Sequence, residues 1–322
     1  MAAGIITGAR DVLGRHLYIL NPFYHSGAKR AGGYIYYEED SFYPRFSLSA
    51  SLDYLPEEWG QGESRRFFWL HSQKSRAAAI FPFLSYQKSA AFELAFNQTY
   101  KKPLSVLPSG EKPQTLWLLG PEVTFIYDST QAFPLSPGTV QGQWVIFGME
   151  NTLRALGSEV NINRFRADEI LFFPLPARAA ASLRAGIGYQ PDSSYQLYPR
   201  GYPDLSAKYA VLVGLNLKTM PWVIERGLST LPVYLNLVYA SVFSDLGLSG
   251  ADLYELHSFR VGVGGSLNLK TTLGYAIPVL FQFSFARGLN RDGETQFYAT
   301  MNYELWNLGY EHRRSPEIFP RR

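Results

Sequence analysis

An arginine loop is the part of the sequence with the clearest capacity for a specific polar interaction. Arg200 precedes Gly201 and Tyr202 in a segment rich in proline and glycine. Its guanidinium can form two parallel hydrogen bonds with one carboxylate and can lie over an aromatic ring. Asp245, two residues after Phe243, is a carboxylate that this arginine could bind. An ordinary solvated turn arginine is the alternative interpretation.

The sequence contains no recognisable catalytic motif. The sequence has no cysteine, no Gly-x-Ser-x-Gly motif and no phosphate-binding glycine loop. The histidines lack the spacing of metal ligands; they are His16, His25, His71, His257 and His312. Asp128, Asp168 and Glu169 could pair with a histidine in a barrel hydrolase, but no spacing selects them. The sequence therefore predicts that the protein is not an enzyme, and it predicts neither a metal nor a cofactor.

The composition excludes further classes of protein. A net charge of +3 with 18% charged residues lacks the basic surface that nucleic-acid binding requires. The absence of cysteine excludes disulfide frameworks and thiolate metal sites. No run of about 18 apolar residues occurs, so a membrane-spanning helix is not predicted. The aromatic content of 16%, with 28 glycines, is typical of long strands that carry aromatic rings at a membrane interface.

The elements that must position the arginine loop are predicted by alternation with a period of two. Apolar residues alternate with polar or small residues along most of the chain, for example in 45–54, 90–100, 257–269 and 295–305. Helices are excluded for these segments, because their apolar positions recur every three or four residues. About sixteen strands are predicted, many of them about 9–12 residues long, which is enough to cross a bilayer at a tilt.

These strands predict an all-β transmembrane antiparallel barrel with an inward-folded loop. A soluble propeller or a pair of sandwiches is the alternative, with its apolar face in a core and its polar face in water. Segments 63–72 and 77–87 are counted as two separate strands. Lys88-Ser89 and Lys270-Thr271 are predicted tight turns. The longer connections, which we expect to face outward together, are 104–114, 130–141 and 191–207.

Short motifs in the last third of the chain resemble the barrel of the bacterial surface antigen superfamily, which includes BamA-type assembly barrels and two-partner secretion transporters. They are Arg200-Gly201-Tyr202, the strand 210–218 and Phe243-Ser-Asp245-Leu-Gly247. The resemblance implies that Arg200, Gly201 and Tyr202 form the tip of a loop inside the barrel. It also implies that Phe243, Asp245 and Gly247 are the partners of this loop on the wall.

The match extends to the opening Gly8-Ala-Arg-Asp11-Val-Leu-Gly14-Arg-His16, which looks like barrels of this superfamily that follow a periplasmic propeller. It has departures as well. Asn216 and Lys218 stand where the family often has Glu and Arg, so the interactions of this wall strand are expected to differ.

We therefore expect one barrel domain over 1–306 and a C-terminal tail over 307–322. The resemblance implies a non-enzymatic role in protein insertion, assembly or translocation at the bacterial outer membrane. A passive or plugged pore, or a membrane anchor for a soluble periplasmic domain or partner, is the alternative function. Outer-membrane lipid, lipopolysaccharide and a periplasmic domain or partner protein are the expected partners, and nucleic acid is not.

Overall fold

The structure is a computed structural model, and it describes residues 2–5, 7–59, 66–104, 115–133, 135–191, 199–202, 207–250, 258–274, 277–290 and 292–303. Within these residues the protein is all-β, and its strands belong to one sheet. None of the helices in this part of the chain is long and apolar enough to cross a membrane. The tail predicted for 307–322 lies outside the described residues.

Over the described residues the sheet has eighteen strands. Their bounds are β1 Ala2–Gly4, β2 Thr7–Arg10, β3 His16–His25, β4 Arg30–Glu39, β5 Arg45–Trp59, β6 Arg66–Leu84, β7 Ser89–Pro103, β8 Leu116–Asp128, β9 Gln131–Ala132, β10 Thr139–Thr152, β11 Ile162–Pro174, β12 Ala180–Tyr189, β13 Tyr209–Lys218, β14 Trp222–Gly227, β15 Val233–Gly250, β16 Ser258–Leu273, β17 Ile277–Gly288 and β18 Thr295–Tyr303. Single turns of 3₁₀ helix span Arg154–Leu156 and Pro176–Arg178.

Two of the predicted strands are one strand. Segments 63–72 and 77–87 merge into β6, which pairs with β5 without a break from Trp59 opposite Arg66 to Arg45 opposite Ile80. The polar run from Ser72 to Arg76 has the appearance of a turn in the sequence. A wall with one polar face accepts such residues in mid-strand, because every second side chain points away from the apolar surface.

The tight turn predicted at Lys270-Thr271 is also misplaced. Both residues lie inside β16, where Lys270 pairs with Leu280 of β17, and the strand ends only at Leu273. Gly274 follows with a φ of 59°, which glycine adopts without strain. The turn predicted at Lys88-Ser89 lies close to the observed one, since Ser85 N–H donates to the Lys88 carbonyl and β7 starts at Ser89.

The chain divides into two compact units. The first comprises 1–82, 91–124 and 149–163, and the second comprises 83–90, 125–148 and 164–322. In the second unit, β11, β12, β13, β15, β16, β17 and β18 form consecutive antiparallel pairs. The prediction of a single domain over 1–306 stays a prediction.

The distribution of polarity over the two faces decides between the predicted barrel and the soluble alternative. In the first unit, Phe92 and Leu94 are 37% and 44% exposed, whereas Glu93 between them is 1% exposed. In the second unit, Leu215 is exposed, whereas Asp245 and Ser182 are buried. A soluble sandwich would bury the apolar set instead. The exposed apolar face suits hydrocarbon, as in a transmembrane barrel.

Leu215 provides a test of this assignment. Because it lies in the middle of β13 on the exposed apolar face, Leu215→Arg should lower the free energy of unfolding from lipid vesicles by about 2–4 kcal/mol. Urea titration in phospholipid vesicles measures the change, with Leu215→Ile as the matched control. An arginine variant as stable as the wild type would mean that water, not lipid, covers this face.

Candidate functional site

The arginine loop lies in the connection between β12 and β13 and is held by the strands that follow. Asp245 occupies the buried face of β15, opposite Gly214 of β13 and Gly262 of β16. A carboxylate flanked by glycines on both neighbouring strands leaves room for a loop to lie flat against the sheet. Of the loop, residues 199–202 are described.

Arg200 and Asp245 form a tight ion pair. Arg200 Nε donates to Asp245 Oδ2 at 2.6 Å, and Nη2 donates to Oδ1 at 2.7 Å. The backbone N–H of Arg200 donates to Oδ2 as well, at 3.1 Å. The side chains are only 15% and 3% exposed. Three N–H donors therefore bind a carboxylate that water hardly reaches, and the guanidinium neutralises its charge. The bidentate contact fixes the orientation of the arginine.

Phe243 holds the same guanidinium from one face. The Arg200 Cζ atom lies 3.3 Å from the centre of the Phe243 ring, within the range of a cation–π interaction. Phe243 stands opposite Gly264 on β16, and a Cβ at Gly264 would lie 2.5 Å from the Phe243 Cζ atom. A glycine there lets the ring lean toward the neighbouring strand. The motif Phe-x-Asp thus places a ring and a carboxylate on one face, two residues apart.

Glycines form the surface on which the loop rests. A Cβ at Gly262 would collide with the Arg200 carbonyl, and one at Gly247 would come within 2.7 Å of Pro199. Only residues without a side chain allow the loop backbone to approach the strands so closely. Gly262 and Gly264 were missed by sequence reasoning as site residues. Their spacing of two in β16, which places both on one face, is the signal that could have identified them.

Gly201 and Tyr202 connect the loop to the hairpin of β17 and β18, the last hairpin in the described part of the chain. The Gly201 carbonyl accepts a hydrogen bond from Glu294 N–H at 2.9 Å. Tyr202 is 3% exposed, and its hydroxyl accepts from Asn290 N–H at 3.0 Å and donates to the Val261 carbonyl at 3.2 Å. The connection between β17 and β18 is therefore hydrogen-bonded to the loop tip. No pattern in the sequence indicates these contacts.

The structure thus brings together all the residues that the sequence singled out: Arg200, Gly201, Tyr202, Phe243, Asp245 and Gly247. Gly201 has a φ of 93°, and a Cβ there would collide with the backbone of Gly288. The interpretation of Arg200 as a solvated turn residue does not fit its burial.

A second ion cluster lies nearby on the same face and was not predicted. The fully buried Asp168 accepts two hydrogen bonds from Arg184, both at 2.7 Å, and two from Arg166, at 2.8 Å and 3.3 Å. Arg184 stands opposite Gly214, the residue that also faces Asp245 on the other side. Charged pairs therefore line the polar face of β11 to β15.

The residues considered for catalysis are occupied by other interactions. Asp168 is saturated by arginines, Asp128 accepts from Thr130, and Glu169 accepts from Gln143 at 2.6 Å. Among the described histidines, His16 contacts Glu39 at 2.6 Å, His25 lies 3.5 Å from Asp53, and His71 packs between Tyr54 and Tyr100. Within the described residues no cluster of three or more His, Asp or Glu side chains could hold a metal ion.

The opening motif is a turn rather than a site. Asp11 Oδ1 accepts hydrogen bonds from the N–H groups of Arg15 and His16, and Arg10 donates to the Gly14 carbonyl. The hydrogen bond from His16, followed by that from Arg15, lowers the pKa of Asp11. Gly14 has a φ of 69°. The residue types of this motif are explained by the geometry of the β2–β3 connection.

The wall strand β13 carries the departures from the family pattern. Asn216 stands opposite Phe243, and its Oδ1 atom is buried without a hydrogen-bond partner in the described part of the chain. Lys218 stands opposite Ser241 and is 7% exposed. The ion pair of the loop uses neither residue.

No known protein family matches the sequence, and neither does any curated protein. Solved structures do match. BamA from Haemophilus ducreyi lacking POTRA domains 1–3 is similar over 94% of this chain and 69% of its own, with a TM-score of 0.62 and 12% identity. CdiB from Escherichia coli is similar over 94% of this chain and 58% of its own, with a TM-score of 0.60 and 15% identity. This chain therefore spans less than two thirds of CdiB.

These likenesses define the class of protein. The chain has the fold of an antiparallel transmembrane β-barrel. More particularly, its barrel is of the kind found in BamA and CdiB, and the predicted resemblance to surface antigen barrels is confirmed for the fold.

The Arg200–Asp245 pair can be tested by removing each partner. Arg200→Ala leaves a buried carboxylate without its cation, so we expect a loss of about 3–5 kcal/mol in the free energy of unfolding. The double variant with Asp245→Ala should lose less than the sum of the single variants, because it removes the unpaired charge. Urea unfolding measures these values, with the exposed Arg226→Ala as control. Additive losses would contradict the coupling.

The glycine surface gives an independent test. Gly262→Ala should push the loop off the wall, since the new methyl group would overlap the Arg200 carbonyl. Cleavage by a protease within 199–202 measures the release of the loop. Gly227→Ala is the control, because a Cβ there meets nothing within 4 Å. If the Gly262 variant resists cleavage as well as the wild type does, the close approach is not needed to hold the loop.

Proposed function

We propose that the chain is a non-enzymatic outer-membrane barrel of the surface antigen type that acts in the insertion or translocation of proteins. The arginine loop would act as a lock on the barrel lumen. The proposal is supported by the likeness to BamA and CdiB and by the resemblance of the loop and wall motifs. The observation that carries it is the bonding of the locked loop to the last hairpin.

The loop and the hairpin are coupled by direct contacts. Arg200 is anchored to β15, while Gly201 and Tyr202 are bonded to the connection between β17 and β18. Moving the loop would break the ion pair and the hairpin contacts together. The position of β18, the last described strand, would therefore depend on the state of the lock.

The last strand is important for the proposed function because its backbone N–H and C=O groups lie at the seam of the barrel. Inside a barrel wall, every N–H and C=O group is paired with a neighbouring strand, so an incoming strand can pair only where the first and last strands meet. In the proposed mechanism the lock holds the last hairpin in place until a substrate strand is added at that seam. No covalent step is required, because substrate binding exchanges one set of backbone hydrogen bonds for another.

The exposed apolar face of the wall supports the proposed lipid environment of the barrel. Apolar side chains such as Leu48 and Phe283, which are 54% exposed in each case, would contact outer-membrane lipid, and lipopolysaccharide would lie in the outer leaflet. A periplasmic domain or partner protein would deliver the substrate. The alternative function is a passive or plugged pore, or an anchor for such a partner, in which the loop only narrows the lumen.

The test is an insertion assay. Vesicles containing the protein are mixed with a urea-unfolded eight-stranded barrel, and its folding is followed by its shifted mobility on gels. We expect faster folding than in empty vesicles, and a several-fold slower rate with Arg200→Ala than with the control Arg226→Ala. Folding at the rate of empty vesicles, from correctly folded protein with its periplasmic partner supplied, would refute the assembly role and favour the pore or anchor.

A further inference from the structure

We infer that residues 129–138 form a second closure of the barrel lumen, at the end of the strands opposite to the connection that carries the Arg200 loop. This inference depends on the barrel fold and goes beyond the proposed function. All residues of this segment except Pro134 are described. We call it the 129–138 loop.

The topology places the loop at the opposite end. It connects β8 to β10 and contains the two-residue β9, whereas Arg200 lies in the connection after β12. Three antiparallel strands, β10, β11 and β12, separate the two connections, so they lie at opposite ends of the sheet. The expectation that 130–141 faces outward together with 191–207 is therefore wrong. The length of a connection does not determine at which end of the sheet it lies. In an antiparallel sheet, the number of strands between two connections does.

The loop reaches across the buried face. Lys270 lies on the same face of β16 as the buried Ser266 and Asn268, and its Nζ atom donates to the Ser136 carbonyl at 3.4 Å. The order of the sheet puts β10 and β16 five strand intervals apart, or about 24 Å along the wall at about 4.8 Å per interval. The contact is therefore made across the inside of the wall.

The loop buries its tip rather than exposing it to solvent. Ser136 is 4% exposed and Pro137 is fully buried, whereas Phe133 is 52% exposed. Ser136 Oγ is 2.7 Å from both the Phe133 and the Gly138 carbonyls, and it accepts from Phe133 N–H at 3.2 Å. These bonds fold the tip upon itself, so its shape does not depend on Lys270 alone.

The backbone conformation at the base of the 129–138 loop sets the direction in which the loop leaves the sheet. Gly142 has a φ of 103°, and a Cβ there would collide with the Ser129 carbonyl. Ser129 N–H donates to the Gln143 carbonyl at 2.8 Å, and Gln143 N–H donates to Ser129 Oγ at 3.0 Å. The irregular pairing at Thr139 and Gln141 marks the bend. A glycine-dependent irregularity of this kind re-aims a strand end.

The wall near the loop carries apolar side chains that are hidden from solvent, beside buried polar residues such as Asn268 and Thr271. Side chains on the buried face at this end form two clusters, Trp144 with Ile170 and Phe172, and Leu237 with Tyr239 and Leu280. All are between 1% and 8% exposed. Channel-forming barrels line their interior with polar groups in contact with water. Apolar side chains hidden from solvent instead indicate that protein fills this end of the lumen.

Two closures in series would keep the lumen closed when only one of them moves. Releasing Arg200 would open one end while the 129–138 loop still blocks the other. The lumen would then conduct only when both are displaced, so the lock could move during a functional cycle without making the membrane leaky.

Cysteine chemistry tests the placement of the loop. The chain has no native cysteine, so Ser136→Cys with Lys270→Cys gives a clean pair for a short bis-maleimide reagent. We expect this pair to cross-link, and Ser136→Cys with Leu269→Cys not to, since Leu269 points to the other face. Ser136→Cys alone should react with a bulky maleimide at least roughly tenfold more slowly than Phe133→Cys, because labelling requires local opening. Equal labelling, or equal cross-linking of both pairs, would overturn the inference.

Conductance in planar bilayers tests the closure itself. Replacing 131–137 with a flexible Gly-Ser linker, or Arg200 with Ala, should each leave the conductance near that of the wild type. The combined variant should conduct several-fold more. If Arg200→Ala alone reaches the level of the combined variant, the loop is not a closure. A protein that fails the insertion assay and passes these tests would lose the proposed function and keep the second closure.

Discussion

The buried carboxylate of Asp245 is the group on which the packing of the second unit depends. An ionised carboxylate that is 3% exposed is costly unless a cation and hydrogen bonds compensate for the lost water. Arg200 supplies both through two guanidinium donors and its own backbone N–H. Because the arginine comes from a connection 45 residues earlier, neutralising this one charge holds residues 199–202 of that connection against the wall.

Arg200 can compensate the charge of Asp245 only because the loop backbone comes very close to the strands. The loop backbone lies against Gly247 and Gly262, and the carboxylate itself is flanked by Gly214 and Gly262. Side chains at these positions would occupy the space of the loop and force the arginine away from its partner. The loop can then reach the β17–β18 connection through Gly201 and Tyr202. Electrostatics thus supplies the attraction, and the glycines supply the geometry.

The two faces of the wall have complementary roles. The exposed face carries apolar side chains such as Leu48, Leu215 and Phe283, which suit a lipid environment. The buried face carries the ion clusters of Asp168 and Asp245, and near the 129–138 loop it also carries buried apolar clusters such as that of Trp144, Ile170 and Phe172. Together with the proposed second closure, this division describes a barrel whose interior is occupied by its own loops. In the proposed function, substrate strands would then be handled at the seam of the wall rather than through the lumen.

The sequence by itself determined the strands and the chemistry of the motif. A period of two is a local property, so it predicted all-β architecture and the apolar and polar faces. The resemblance of two short motifs to surface antigen barrels implied that Arg200 would meet Asp245. The sequence did not reveal that 63–72 and 77–87 are one strand, because polar residues in mid-strand resemble a turn. Nor did it reveal Gly262, Gly264, Asn290 or Ser136 as partners. The spacing of Gly262 and Gly264 places both on one face, but which residues they and the others meet depends on the register of the sheet and on the number of intervening strands, and no local pattern specifies either quantity.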